Sequence, residues 1–148
     1  MQKLLIISAI LLQFAVSARA AENLRLNPKL DYSSDSHDGA LISGDKMDEA
    51  AVAGKPNYAI FYGEACFNSK RQARRTVSLY EKYKGRVHFV VVDLDQKHTP
   101  EQQELINKYY RGYIPHVVVL DAKGSAAYNQ SGEVEEGDIS IILDKLLR

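Results

Sequence analysis

Cys66 is the only cysteine in the chain, in the run Phe61-Tyr62-Gly63-Glu64-Ala65-Cys66-Phe67-Asn68-Ser69-Lys70. There an apolar, strand-like pattern gives way to a helical one. A cysteine at a strand-to-helix junction is placed to act as a thiolate, because unpaired backbone N–H groups and the positive end of the helix dipole stabilise its anion. Such a thiolate attacks a disulfide and forms a mixed disulfide with one of its halves. With no second cysteine, the chain cannot close a disulfide within itself, and release falls to an external thiol. The Ser69 hydroxyl, one helical turn on, is a candidate hydrogen-bond donor to that thiolate. Lys70 is a candidate nearby positive charge, although Lys70, Arg71, Arg74 and Arg75 together read as a solvated helix face. Two other readings of Cys66 stay open: a small buried apolar side chain, and a redox sensor that oxidises to a sulfenic acid or to a homodimer disulfide.

The elements that must position this cysteine follow from hydrophobic periodicity. A short helix is expected over Asp45 to Ala53, ended by Gly54 and Pro56, and a compact strand buried on both faces over Tyr58 to Tyr62. The helix after Cys66 carries Ser69, Ala73, Val77 and Tyr80 on one side and ends at Gly85. Val87 to Leu94 reads as a valine-rich central strand. Thr99-Pro100-Glu101-Gln102 supplies an N-cap, a proline at the first helical position and a capping-box glutamine; the helix it opens points Leu105, Ile106, Tyr109 and Tyr110 inward. Strands over His116 to Leu120 and Ser125 to Asn129 flank the turn Asp121-Ala122-Lys123-Gly124. The last helix shows Ile139, Ile142, Leu143 and Leu146 at core spacing. The fold class is α/β, a central mixed sheet flanked by helices.

The first twenty residues have a short polar start with Lys3, an apolar stretch from Leu4 to Leu12, and the small residues of Ala18-Arg19-Ala20. They read as a signal peptide cleaved after Ala20; the apolar run breaks at Gln13, short of the roughly 20 residues a membrane span needs. Cleavage removes Lys3 and Arg19 and leaves about 17 basic against 19 acidic residues in about 128. That near-neutral balance argues against nucleic-acid and membrane-surface roles. It leaves one domain with enough chain for a core. In an exported chain a lone cysteine stands out, since disulfides use even numbers. Residues Ala21 to Gly44 hold few large apolar groups and read as partly disordered, with one short strand near Leu24 to Leu26. Within them Asp35, His37 and Asp38 are too sparse for a metal site and read as a solvated turn. Neither a metal nor a cofactor is expected.

The order of elements, with a cysteine at the first strong strand-to-helix junction and Ile114-Pro115 just before the hairpin, resembles the thioredoxin family. Three stretches carry the resemblance: Phe61 to Lys70 looks like the active-site segment, Tyr110-Arg111-Gly112-Tyr113-Ile114-Pro115 like the cis-proline loop, and Lys123-Gly124 through Gly132 to Leu147 like the closing hairpin and helix. The resemblance spans residues 42–148, leaving 1–20 as signal peptide and 21–41 as a flexible leader. It implies that Cys66 is the nucleophile and that Pro115 is cis, with Ile114 and Pro115 offering backbone to an extended client peptide. On local chemistry alone Pro115 also reads as an ordinary trans proline starting an edge strand, and His116 as a strand residue turned from the site. Two departures matter. Ser69 stands where efficient family members carry a second cysteine, and Ile60 where an acidic residue often serves that cysteine. A full dithiol oxidoreductase cycle is therefore not expected. What remains is an exported, periplasmic monothiol protein exchanging with client thiols or disulfides and an external thiol reductant. A non-catalytic module that binds a peptide in the same cleft is the alternative.

Overall fold

A computed structural model describes residues 21–148; the expected signal peptide, 1–20, lies outside the described residues. The chain runs β1 (Glu22–Leu26), β2 (Ile42–Asp45), β3 (Asn57–Tyr62), α1 (Phe67–Tyr83), β4 (His88–Asp93), α2 (Pro100–Tyr109), β5 (His116–Leu120), β6 (Ala126–Ser131) and α3 (Glu136–Leu146). The main sheet has the order β4-β3-β5-β6, with β3 parallel to β4 and antiparallel to β5, and β5 antiparallel to β6. Among the described residues no helix is long and apolar enough to cross a membrane.

Alternation along the strands divides the core in two. Tyr58, Ile60, Tyr62, Phe89, Val91, Val117 and Val119 face one side, where α1 and α3 contribute Ala73, Leu79, Tyr80, Tyr83, Ile139 and Leu143. Ala59, Phe61, Val90, Val92, Val118 and Leu120 face the other, against Leu105, Ile106 and Tyr109 of α2. Period-2 strands sort side chains to opposite faces, so an apolar run such as β3 requires cover on both. All six residues of β3 are buried. Thr99 caps α2 as its sequence implies, its hydroxyl accepting the Gln102 N–H at 3.2 Å.

Two expectations need correction. No helix forms over 45–53; Lys46 adopts a left-handed backbone at φ 52°. The carbonyls that a helix would use are taken by side chains: Gln102 Nε2 donates to Met47 O and Glu49 O, Asn57 Nδ2 to Val52 O, and His88 Nε2 lies 2.7 Å from Ala50 O. Tertiary partners thus outbid local propensity.

Nor do residues 21–44 stand apart from the domain. β1 and β2 pair antiparallel, and Ala21, Leu24, Leu41 and Ile42 join the core on the α1 side. Tyr side chains bridge this segment to the rest: Leu41 N–H donates to Tyr62 OH at 3.2 Å and Asn23 N–H to Tyr80 OH at 2.8 Å. Sparse apolar residues hid this, because only a few positions in the segment are buried. Leu41 is fully buried, so Leu41→Ala is expected to cost about 2–4 kcal/mol in urea unfolding; a loss under about 0.5 kcal/mol would show the segment detached from the cooperative unit.

Candidate functional site

Cys66 is half-buried and occupies the N-cap of α1, with extended backbone at φ −90° and ψ 120°. Its carbonyl accepts the first helical hydrogen bond, from Lys70 N–H at 3.0 Å, and its own side chain caps no N–H. Cys66 therefore stands at the N-terminal end of α1, where the N–H of the first helical residue, Phe67, is taken up by Asp35 Oδ1.

Gly63 brings the cis-proline loop to this position. A Cβ built on Gly63 would stand 2.6 Å from Ile114 Cδ1, so the β3–α1 turn lies directly against the Ile114 side chain, which would have to shift for any larger residue. The Ile114–Pro115 bond is cis. Pro115 is buried and Ile114 half-buried, while Tyr113 next to them is 74 % exposed. Cys66, Ile114 and Pro115 thus belong to one corner of the molecule, at the loop ends of β3 and β5.

Ser69 occupies the inner face of α1 and is fully buried. Its hydroxyl oxygen accepts the Gly63 N–H at 3.4 Å, and among the described residues it makes no hydrogen bond to the Cys66 sulfur. Ser69 therefore braces the turn that carries the cysteine. Ile60, fully buried, sits between Val91 and Val117 in the sheet register, leaving that part of the core without an acid.

Carboxyl groups gather instead on the other side of the turn, where no spacing rule pointed. Glu64 is 3 % exposed and receives Gln96 Nε2 at 2.7 Å and His37 Nε2 at 2.7 Å, and its backbone N–H donates to Asp95 Oδ2 at 2.7 Å. Burial opposes ionisation of Glu64, but hydrogen bonds from Gln96, Asp93 and His37 outweigh it and hold the carboxyl below its usual range. Asp93, at the end of β4, is pushed the other way, up to about 7, first by burial and then by the neighbouring Glu64. One atom from each of His37, Glu64 and Asp95 lies within 4.8 Å of the others. The His37–Glu64 contact and the backbone hydrogen bond just described account for this approach.

His37 and Asp35 are thus not a free solvated turn. Asp35 Oδ1 accepts the Phe67 N–H at 2.7 Å. Lys70 also departs from expectation: it is 1 % exposed, its ammonium enclosed by backbone oxygens of residues 31–36. Arg71 and Arg75 reach Glu133, and Arg75 also Glu135, tying α1 to the segment before α3. The only sequence signal for any of this was the density of polar residues in 31–38.

His116 is also buried, with Nδ1 2.8 Å from Ser131 Oγ and Nε2 2.6 Å from Asn129 Oδ1, and edge-on to Phe61 and Tyr110. Burial lowers its pKa. Its polar atoms turn toward β6.

The Asp93 carboxyl has a consequence for stability. Its unfolded counterpart ionises near 3.8 and the folded group near 7, so folding takes up a proton between these values. The stability it contributes is complete below the lower value and lost as pH rises through the upper one. Asp93→Asn, which cannot ionise, is expected to gain about 2 °C or more in Tm over the parent between about pH 5 and about pH 8; a pH-independent gap would overturn this assignment.

Comparison with known proteins agrees with this architecture. Residues 44–147 match the family model of the thioredoxin-like domain. The chain is 30 % identical over 106 residues to the thioredoxin-like protein HCF164, chloroplastic, of Oryza sativa subsp. japonica, covering 72 % of this chain and 39 % of that protein. The chain thus spans about two fifths of that relative's length. Among solved structures, an uncharacterised thioredoxin-like protein from Clostridium perfringens superposes with a TM-score of 0.53 at 22 % identity, covering 65 % of this chain and 74 % of that one. Thioredoxin-2 of the malaria parasite gives 0.52 at 20 %, covering 62 % and 82 %. At such identities the two structures bear on the fold alone. With the family model matched across β3 to α3, from the cysteine turn through the cis-proline loop to the closing hairpin and helix, this chain belongs to the thioredoxin-like family.

Proposed function

We propose that this chain is an exported, periplasmic thioredoxin-like protein that exchanges disulfides through Cys66 alone. The observation that supports the reading is a half-buried cysteine at the N-terminus of α1, in a turn whose Gly63 lies against Ile114, with Ser69 buried three residues on. Export rests on the apolar stretch and small-residue ending of residues 1–20.

In the exchange, the Cys66 thiolate attacks one sulfur of a client disulfide. That S–S bond breaks, a Cys66–client disulfide forms, and the second client sulfur leaves as a thiolate that takes a proton from water. An external thiol then attacks the mixed disulfide at the client's sulfur. Cys66 leaves as thiolate, and the client carries the new disulfide with that thiol. Ile114 and Pro115 line the docking edge for an extended client segment. Ser69 keeps the turn in shape and takes no part in bond exchange.

Acid trapping of cells that express the tagged chain is expected to show reducible client adducts that vanish in Cys66→Ser. Peptide binding that persists in Cys66→Ser, with no adduct in the parent, would replace exchange by non-covalent docking. Ser69→Cys is expected to form an internal disulfide and to gain insulin-reducing activity, since bridging needs Cα atoms within about 7 Å; failure to oxidise would contradict the family geometry at this turn.

A further inference from the structure

Residues 31–38 lie along the N-terminal end of α1 and are fastened there by four independent contacts. The Lys70 ammonium donates to the carbonyls of Asp31, Ser34 and Ser36 at 2.6, 2.8 and 2.8 Å, with Ser36 Oγ at 2.9 Å. An ammonium has three protons, so its donors are fully used. His37 pairs with Glu64 at 2.7 Å. The Arg74 guanidinium stands 5.5 Å from the centre of the Tyr32 ring, whose hydroxyl donates to Leu41 O at 2.5 Å. Asp35 Oδ1 accepts the Phe67 N–H at 2.7 Å.

The last contact places a carboxylate one peptide unit from the cysteine. Phe67 is the first residue of α1 and Cys66 its N-cap, so the two groups share one helix end. A carboxylate already seated there draws on the field that would stabilise a sulfur anion and repels an approaching anion. Arg71, which stacks on Phe67 at 5.0 Å, does not offset this, because Glu133 takes its guanidinium.

We propose that Asp35, presented by this Lys70-clamped strap, is a positioning residue that restrains Cys66 and directs it toward neutral or cationic disulfides over anionic ones. The inference rests on the reading of Cys66 as an exchanging thiol. It gives that thiol a substrate class: client segments without acidic residues beside the disulfide, in preference to small anionic disulfides. Each exchange remains a thiolate attack that breaks one S–S bond, forms another and releases one thiolate. Asp35 forms no bond to sulfur in it.

The test compares the rate of Cys66 with cystamine, a dicationic disulfide, and with 5,5′-dithiobis(2-nitrobenzoate), a dianionic one. Asp35→Asn keeps an oxygen that can accept the Phe67 N–H while removing the charge. It is expected to raise the rate with the dianion about fivefold or more and to change the cystamine rate far less, with the difference shrinking in high salt. Asp35→Glu is expected to keep the parent's preference. A reactive Cys66 whose preference is the same in the parent and in Asp35→Asn overturns the inference and leaves exchange standing. A Cys66 inert to both reagents overturns exchange, and the inference with it.

Discussion

Strand β3 is buried along its whole length, and the rest of the molecule is arranged to cover it. Its neighbours β4 and β5 satisfy its backbone on both edges, α1 and α3 close one face and α2 the other. A strand enclosed in this way cannot slide, because a one-residue slip would reverse every side chain. Where it ends, the chain must turn into α1 at a fixed place. Gly63 lies directly against Ile114 in that turn, and Ser69 holds Gly63 N–H from the helix. The position of Cys66 is therefore a consequence of the core rather than of the loop that carries it.

A buried lysine ordinarily destabilises a domain unless its charge is matched. Lys70 is matched by backbone dipoles rather than by a carboxylate, and those dipoles belong to a segment that has no regular structure of its own. The Asp31 carboxylate shapes the same turn, accepting from Ser33 and Ser34, and those hydrogen bonds lower it to about 2. The lysine gives residues 31–36 a conformation, and they in turn satisfy the lysine. That reciprocity brings Asp35 and His37 onto the cysteine turn, so the electrostatics beside the thiol depend on a part of the chain some thirty residues earlier.

Much of the fold could be read from periodicity. The helices opening at Phe67, Pro100 and Glu136, the strands β3 to β5 and the Asp121–Gly124 turn all carried local signals: apolar periodicity, the Thr99 cap with Pro100, and the glycine that closes the turn, which the structure holds at φ 86°. The predicted helix over 45–53 failed because Gln102 and His88, from α2 and β4, and Asn57, at the start of the next strand, take its carbonyls. The apparent solvated character of Lys70 failed for the complementary reason. Residue type reports what a side chain prefers on average, not which oxygens the fold brings to it.

For the site, the sequence by itself determined the lone thiol, its place at a strand-to-helix junction, the serine three residues on and the apolar residue at Ile60, because each is a matter of residue identity and spacing along one segment. Only the tertiary structure decided what surrounds that thiol. Ser69 turns inward to Gly63, Glu64 shares its burial with Asp93, and residues 31–38 set Asp35 at the end of α1. Apart from Gly63, these partners come from β4 and from the segment between β1 and β2. Coulombic and hydrogen-bond energies depend on distance through space, and separation along the chain does not disclose that distance.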